Sequence, residues 1–545
     1  FFRMNPRRPD RRLSSLSGGN GNGATRISGR FAVNIRRIIL ALLTIGAAFG
    51  PLAAEDGAVW PLTLDEAIAR ALKNNLDIAV ESYNPELAEG QLFKARETFL
   101  PQFDLSFGDD HRESPSYWWL QGEGTSIDKY RNYSAGIAQM IPTGGRFSLS
   151  FQGYRSETNQ SFQLINPRFG TTLAVSFSQP LLKDFGLKIA RRQILEAENS
   201  LEIADVQLRG AMMETIYLVQ EAYWNFVYAV DSLQVKRQSL ELGRDLLAKN
   251  KKEVEFGQLA PIEILNAEAA VAQREADLIQ AEAMVTRSRE VLKTILNLPA
   301  EAPGTILEPV DRPVAQGVSL SLDEALKQAA ANRTDLQALR KTIDNKSLSL
   351  EFARNQMLPA LNFEFSYMSP GISGDRIKYL DDNPMTGIII GKEPGSAGDA
   401  TKDAARFRYS NWSVGLTLSF PLGHALTRAD AAVARIDLAQ SEARLKSLER
   451  QVALDVADAV RAVETDAKRI EAYRLARELA EKSLEAEQKK LAVGMSTNYF
   501  VLDFQDRLAN ARSLELKAKI DYILSVERLE KATGMSLVRR GVRLP

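Results

Sequence analysis

Few residues in this chain of 545 are of the types that carry out chemistry. There are two histidines, His111 and His424, and no cysteine. No nucleophile and base stand at a usable spacing, and no His, Cys and carboxylate residues are spaced as metal ligands. The glycine-rich run GGNGNG, at 18–23, precedes no helical pattern, which a phosphate-binding loop requires. We therefore predict that the protein is not an enzyme and binds no cofactor or metal.

Charge narrows the classes of protein further. The formal net charge is zero, which argues against nucleic acid as a main partner. Residues 1–54 are basic, and within them an apolar run at 38–49 follows Arg36 and Arg37 and precedes small residues up to Ala54. This order predicts a secretory signal peptide, with a short transmembrane anchor as the alternative. Removing its nine basic residues and one acidic residue leaves a net charge near −8.

The second half of the chain repeats the order of motifs in the first. LTLDEAIARALKNN at 62–75 resembles LSLDEALKQAAANR at 320–333, and FLPQFDLSF at 99–107 resembles MLPALNFEF at 357–365. A proline after the strands and a glycine late in each half also correspond. These matched positions are Pro180 with Pro421 and Gly257 with Gly494. Four matches in the same order predict an internal structural duplication.

Each predicted repeat, 55–316 and 317–545, contains a capped helix, strands and a long helical hairpin, in that order. Thr63 and Ser321 each precede a glutamate by three residues, which is the spacing of a capping box at a helix start. Prolines after these first helices, at Pro101 and Pro359, are expected to end them. We expect strands at about 102–179 and 360–420, and hairpins at about 186–298 and 423–534.

Alternation of apolar and polar residues marks the strands. In WSVGLTLSF, at 412–420, apolar side chains alternate with Ser, Gly and Thr, and LNFEFSY at 361–367 has the same period of two. A soluble β-sandwich would alternate in the same way. The small polar residues and the adjoining long helices favour a transmembrane β-barrel, whose strands turn apolar side chains to lipid. The predicted lipid-facing residues are Leu361, Phe363, Phe365, Val414, Leu416 and Leu418.

The helical segments are long and carry heptad repeats. Apolar residues recur at intervals of seven from Val219 to Val254, and again from Val456 to Leu491 with Arg477 as the exception. Such a repeat predicts helices that pack along their length. Charged residues are too frequent for contact with lipid, so the hairpins are expected to stand in water. Glycine tolerates the left-handed cap at a helix end, so the predicted hairpin turns are Gly257 and Gly494.

The strands of one chain are too few to close a barrel. A barrel needs about eight strands, and open sheet edges are not tolerated in lipid. The chain is therefore expected to oligomerise, so that several copies close one barrel and their hairpins continue it as a tube. The predicted joints between strand and helix, at the membrane boundary, are Pro180 and Pro421. The Gly-, Asp- and Pro-rich segment 368–410 is predicted to be a long external loop.

The sequence resembles the outer-membrane efflux protein family, the TolC-like export ducts. The resemblance rests on LTLDEAI and LSLDEAL, on FLP and MLP before the strands, on QPLLKDFG after them, and on Gly-x7-Leu-[Asp/Asn] at both hairpin turns. It implies a mixed α and β membrane protein, in which a homotrimeric transmembrane β-barrel in the Gram-negative outer membrane continues as a long α-helical barrel in the periplasm. It also implies a periplasmic adaptor and an inner-membrane transporter as partners.

The function that this resemblance implies is an exit duct, in a tripartite efflux or type I secretion system, that conducts substrates passively. A soluble or periplasmic coiled-coil scaffold is the alternative, but the signal segment and the strands would have no role in it. The exported substrate stays open between drugs, metals and proteins, because such ducts take their specificity from the pump.

The number of strands departs from the family pattern. The family has two strands in each half, whereas the first half here has four strand-like segments, at about 102–108, 132–140, 146–155 and 171–179. Three copies would then supply about 18 strands instead of about 12. The alternative is that the extra pair folds outside the barrel.

The hairpin tips also depart from the pattern. The resemblance implies that acidic residues narrow the duct there; Asp503 matches a constricting aspartate, and Phe500 stands where a second is expected. Ser496 and Leu491 replace the Arg and Tyr of the family's closing links, so a gate would be held differently. A ring of carboxylates favours cations, although an ordinary solvated residue is the alternative at these sites. The first-half tip positions are Glu263 and Asn266.

Overall fold

The computed structural model describes residues 59–118, 124–298, 306–314, 317, 320–420, 423 and 425–542. Apart from Val59 and Ile306, these residues belong to one compact unit, formed by Trp60–Glu301 and Leu307–Pro545. The expected signal segment 1–54, the expected joint Pro421 and the histidine His424 lie outside the described residues.

The described residues form strands and helices in an order that alternates blocks of each. The strands are β1 (Val59–Leu62), β2 (Gln102–Pro115), β3 (Thr125–Met140), β4 (Arg146–Thr158), β5 (Ile165–Pro180), β6 (Ile306–Pro309), β7 (Ala360–Tyr379), β8 (Ile389–Glu393) and β9 (Asn411–Ser419). The helices are α1 (Leu64–Asn74), α2 (Leu76–Glu97), α3 (Leu187–Ala190), α4 (Arg192–Glu255), α5 (Ile262–Ile295), α6 (Leu322–Asn332), α7 (Thr334–Asn355), α8 (Ala397–Ala405), α9 (Ala425–Ala492), α10 (Asn498–Thr533) and α11 (Ser536–Arg539).

Side-chain caps fix the start of the first helix in each half. The Thr63 hydroxyl accepts a hydrogen bond from the Glu66 N–H, and the Glu66 carboxylate accepts one from the Thr63 N–H. Ser321 and Glu324 form the same reciprocal pair at the start of α6. Each pair satisfies two backbone donors that a helix start leaves without a partner. Both predicted capping boxes are confirmed.

These first helices are each broken in two, although the sequence pattern predicted a single helix in each half. The Asn75 side chain accepts hydrogen bonds from two backbone N–H groups and starts α2 as a separate helix. In the second half the break between α6 and α7 lies at Arg333. Helix α2 then continues through Pro85 and ends at Glu97, four residues before Pro101. In the first half the Asn75 cap therefore marks the break, whereas no side chain caps the second break at Arg333.

Six long strands and the short β8 form one antiparallel sheet. The order is β2-β3-β4-β5-β7, and both β8 and β9 pair with β7. The β3–β4 hairpin, whose place the sequence left open, lies within this sheet between β2 and β5. Within the described residues, β2 pairs only with β3 and β9 only with β7, so these two strands are the edges.

The register gives this sheet one apolar face and one polar face. One row of apolar side chains crosses all six long strands through Phe103, Ile137, Leu149, Val175, Tyr367 and Trp412. On the opposite face a row of four serines crosses Ser148, Ser176, Ser366 and Ser413. The hydroxyls of Ser148 and Ser176 lie 2.6 Å apart, and those of Ser366 and Ser413 lie 2.8 Å apart.

The long helices pack as two antiparallel hairpins, α4 with α5 and α9 with α10. Helix α4 has 64 residues and α9 has 68, so each is roughly 100 Å long at the usual rise per residue. Within the described residues, no helix combines the length and the apolar composition needed to cross a bilayer.

Three apolar clusters hold the helices together. The first surrounds Val219 and Phe226, the second surrounds Val456 and Val463, and the third lies toward the hairpin turns. The four named residues belong to the heptad repeats, so the stripes predicted from the sequence lie in the packed interior. The exceptional Arg477 is also satisfied, because its Nε donates to the Glu515 carboxylate at 2.6 Å.

Candidate functional site

Both hairpins reverse at glycine. Gly257 has φ of 73° and Gly494 has φ of 77°, in the left-handed region that favours glycine. The N–H groups of Gly257 and Gly494 donate to the carbonyls of Val254 and Leu491, at 2.9 and 3.1 Å. No atom lies within 4 Å of where a Cβ would stand at either residue, so the backbone angle alone requires glycine.

The sequence-predicted tip residues lie close to these turns but have separate surroundings. Asp503 forms an ion pair with Arg507 at 2.7 Å on the same helix face. Phe500 is exposed and its ring meets Tyr499 edge-on at 5.7 Å between centroids. Glu263 is partly buried at the start of α5, and Asn266 is exposed. Each carboxylate therefore has its own environment, and Asp503 already has a cation beside it.

Apolar side chains are exposed on both sides of each turn. At the first tip these residues are Phe256, Ile262 and Leu265. At the second they are Val493, Met495, Tyr499 and Phe500. Large apolar residues that cluster on a surface commonly mark a contact with another protein.

Behind the tips lies the third apolar cluster, which we call the tip cluster: Leu246, Ala267, Leu484, Val501, Leu502 and Leu508. Asn250 and Asn498 are buried close to it along the chain. In the described structure, the Asn250 Oδ1, the Glu263 Oε2 and both side-chain polar atoms of Asn498 have no hydrogen-bond partner. A buried polar atom without a partner costs about 1–3 kcal/mol. Unpartnered polar atoms are therefore found behind both hairpin tips.

A buried arginine joins the two hairpins beside the tip cluster. The Arg274 side chain is 5% exposed, and its Nη2 donates to the Asp506 carboxylate of α10 at 2.8 Å. Its Nη1 donates to the Ser239 carbonyl of α4 at 2.9 Å and to the Gln505 amide oxygen at 3.2 Å. Gly243 provides the room, since a Cβ there would lie 2.7 Å from Nη1. This link was not predicted from the sequence, where the glycine inside a heptad-patterned helix was its only signal.

Ser496 and Leu491, which replace the family's closing residues, have other roles here. The Ser496 hydroxyl donates to the Glu487 carboxylate at 2.5 Å, and Lys490 pairs with the same carboxylate at 3.0 Å. The hydrogen bond from Ser496, and then the one from Lys490, lower the pKa of Glu487. Leu491 packs against the tip cluster. Within the described residues of one chain, these contacts hold the second hairpin to itself.

The apolar face of the sheet is the second candidate site. The predicted lipid-facing residues form three cross-strand pairs: Leu361 with Leu418, Phe363 with Leu416, and Phe365 with Val414. Ten residues separate Leu361 from Gly371 on this face, which is roughly 33 Å along the strand. At the usual tilt of barrel strands this gives a height of about 25 Å, which matches the apolar band of outer-membrane barrels.

At the end of the sheet nearest the helices, β5 ends at Pro180. The Leu181 N–H still donates to the Leu361 carbonyl at 2.7 Å, and a turn with Asp184 and Gly186 at positive φ leads into α3. The helix restarts as α4 after Arg191. The connection at Pro180 is therefore a short bonded turn and not a direct junction.

Comparisons with known proteins agree with this architecture. The family model described as outer membrane efflux protein matches residues 146–298 and 325–535. The outer membrane protein TolC of Vibrio cholerae is 26% identical over 342 residues, which cover 62% of this chain and 72% of that protein. The alkaline protease secretion protein AprF of Pseudomonas aeruginosa is 24% identical over 366 residues, which cover 66% of this chain and 69% of that protein.

Solved structures share the fold at lower identity. The Campylobacter jejuni CmeC outer membrane channel has a TM-score of 0.60 at 15% identity, with 87% of this chain and 86% of that chain covered. The outer membrane protein VceC of Vibrio cholerae has a TM-score of 0.60 at 14% identity, with 86% and 96% covered. The family model alone matches more than half of the chain, and the resemblance found in the sequence is confirmed. The protein is an efflux channel of the outer membrane that extends into the periplasm. The chain belongs to the outer membrane efflux protein family.

Proposed function

We propose that three copies of the chain form one continuous exit duct of a tripartite efflux or type I secretion system. The observation that carries this proposal is the apolar face that crosses all six long strands while β2 and β9 stay open as edges. An apolar face suits lipid, but open edges do not, because their backbone groups would have no partner there. Pairing β9 of one copy with β2 of the next satisfies both requirements.

The number of strands follows from the sheet. Six long strands in each copy give about 18 strands in a trimer, within the range of outer-membrane barrels. A barrel of that size holds a water-filled channel, and the face with the serine row then lines it. The β3–β4 hairpin inside the sheet supports this count over about 12 strands.

Exposed apolar stripes on the helices support the same assembly. On α2 they are Leu76, Val80, Tyr83 and Leu87, and on α9 they are Leu426, Val433 and Ile436. Intervals of three, four and seven place each set on one side of its helix. In the trimer these stripes pack against helices of neighbouring copies, and the hairpins form a periplasmic tube roughly 100 Å long.

The hairpin tips are the proposed docking site for a periplasmic adaptor, which links the duct to an inner-membrane transporter. The exposed residues beside Gly257 and Gly494 would be covered in that contact. Asp503 would ring the aperture, and its pairing with Arg507 brings one positive charge for each carboxylate. The aperture is thus closer to neutral than a bare carboxylate ring.

The duct carries no catalytic role in this proposal. Conduction is passive, and the transporter supplies both the energy and the choice of substrate. The coiled-coil scaffold alternative leaves the apolar sheet face without a function.

Fractionation of a Gram-negative host that expresses the full chain tests the duct. We expect an outer-membrane species that resists SDS at about three times the monomer mass and falls to monomer on boiling. Because the chain has no cysteine, pairs of introduced cysteines, one on β2 and one on β9 of the same chain, should give disulfide-linked trimers under oxidising conditions where the two positions face each other across the proposed seam. Recovery as a soluble monomer, or no cross-link between β2 and β9 at any position, would rule the trimeric barrel out.

A further inference from the structure

A short helix lies on the apolar face of the sheet, at the end far from the long helices. The backbone of α8 approaches β7 so closely that a Cβ at Gly371 would collide with the Ala400 carbonyl oxygen. The hydroxyls of Thr171 on β5 and Thr401 on α8 lie 3.2 Å apart. The rings of Tyr367 and Phe407 lie 5.9 Å apart between centroids. By the strand register, Thr171, Tyr367 and Gly371 all belong to the apolar face.

The local sequence explains why α8 forms and fits there. Ser396 and Asp399 make a capping box at its start, with 2.7 Å between the serine Oγ and the carboxylate Oδ2. Two alanines one turn apart, Ala400 and Ala404, face the sheet and are buried. Small residues on both surfaces allow the backbones to meet, so the side of α8 away from the sheet must carry its polar residues.

That outer side carries cations and aromatic rings. Lys402 forms an ion pair with Asp399 at 3.6 Å, and Arg408 forms one with Asp403 at 3.3 Å. Arg406 is exposed and takes part in no ion pair of the described residues. Phe407 and Tyr409 are exposed beside it, with Trp412 one strand further. Cations interleaved with exposed aromatic rings are typical of a membrane interface.

On β2 to β4 the apolar face ends at about the same height as α8. Asp109 lies two residues beyond Phe107 on β2, and its carboxylate pairs with Arg131 of β3 at 2.6 Å. Arg131 lies opposite Arg155 of β4, which pairs with Glu157 at 2.9 Å. A charged row thus bounds the apolar face along β2 to β4, and α8 bounds it along β5 and β7.

We propose that α8 and this charged row form a collar at the outer rim of the barrel, and that Arg406 and Arg408 bind the phosphate groups of the phosphorylated glycolipid in the outer leaflet. The inference rests on the proposed function, because it takes the apolar face to be the lipid-facing one. The collar covers the outer end of that face: Gly371, beneath α8, lies about 25 Å above Leu361 at the usual strand tilt, which is where the lipid headgroups begin. Arg406, which forms no ion pair among the described residues, then lies at the level of the anionic phosphate groups.

Retention of lipid by the purified full-length trimer tests the collar. The variants R406E and R406E/R408E are compared with K392E, which makes the same change of charge as R406E but on β8, where residue 392 pairs beyond the rows that α8 covers. Each protein is delipidated in detergent and titrated with rough-type lipopolysaccharide, or with the same lipopolysaccharide after enzymatic dephosphorylation. Near an anionic lipid surface each Lys or Arg contributes about 1 kcal/mol to the free energy of binding. We expect at least about five-fold weaker binding for R406E/R408E, with K392E unchanged.

Two controls separate the outcomes. Binding to the parent chain should weaken at high salt and with the dephosphorylated lipid, because the contact is electrostatic. Equal binding by R406E/R408E, or by the dephosphorylated lipid, would overturn the collar. A photo-crosslinker at position 406 that captures another protein chain instead of lipid would overturn it as well. Failure of the duct itself would differ, because no SDS-resistant trimer would then be recovered.

Discussion

The sheet and the long helices of this chain use apolar residues in opposite ways. Phe226 of α4 is 1% exposed, and its cluster is packed from helices of the same chain. Val414 of β9 is 55% exposed, and every residue of that strand is exposed. The helices thus complete much of their packing within one chain and keep water outside. The sheet leaves its packing to material outside the chain, which in the proposed duct is lipid on one face and a second copy at each edge.

The largest expected effect comes from opening the helical interior. Phe226→Ala should lower the free energy of unfolding of the helical part by about 3–5 kcal/mol, because it leaves a cavity in the first apolar cluster. Phe256→Ala, the same substitution on the exposed first tip, should change it by much less. Thermal unfolding of the detergent-solubilised protein, followed by the helical circular dichroism signal, makes the comparison. Equal losses in both variants would contradict the assignment of these two environments.

A charge on the apolar face of the sheet should have the next largest effect. Val414→Arg places a cation near the middle of the predicted lipid-facing band, at a cost of about 2–4 kcal/mol. Ser413→Arg puts the same side chain on the neighbouring residue and the polar face, where water is expected. The measured quantity is the fraction of SDS-resistant species in the outer membrane. If both variants assemble equally, the apolar face does not meet lipid.

Loosening the link between the hairpins should have a smaller effect. Asp506→Ala removes an acceptor from the buried Arg274 and should destabilise the tip region by about 1–3 kcal/mol. Asp503→Ala removes an exposed partner of Arg507 and should cost less than about 1 kcal/mol. Limited proteolysis near the tips, read together with the melting temperature, compares the two variants. Greater protease sensitivity in the Asp503 variant would reverse the ranking.

One further effect should appear only when pH is varied. Glu527 of α10 is buried beside Gln220, Arg540 and Glu530; burial raises its pKa to about 7, and Arg540 opposes the rise. The folded state therefore prefers the protonated acid, so this stabilisation is complete below about pH 4.5 and is lost as pH rises through about 7. Glu527→Gln should flatten the fall in melting temperature across that range. Parallel pH profiles for the two proteins would refute the role of Glu527.

The sequence predicted best those features that depend on patterns repeating every few residues. Alternation located the long strands, intervals of seven located the buried stripes, and the Ser/Thr-to-Glu spacing located the capping boxes at Thr63 and Ser321. Each pattern arises from backbone geometry that repeats every few residues. The positive φ at both tip glycines follows from the same local chemistry.

Features that depend on distant pairing could not be read in the same way. The segment 368–410 was predicted to be one long loop, but β7 extends to Tyr379, and β8 and α8 lie within the remainder. Helix α8 has nine residues, too few for periodicity to show, and its stability depends on Gly371 below it. Arg274 is one of many arginines in charged helices, and only the packed hairpins distinguish it.

In the proposed duct the polar face lines the channel, and its row of Ser148, Ser176, Ser366 and Ser413 has a consequence for how solutes move. A hydroxyl can rotate to donate or accept, so this row can match either polarity of a passing molecule without holding a fixed charge. A wall of this kind gives a solute no single strong resting place. The resistance to passage would then depend on the width of the channel and the hydration of the solute more than on the solute's chemical identity. One duct would therefore conduct solutes of very different kinds.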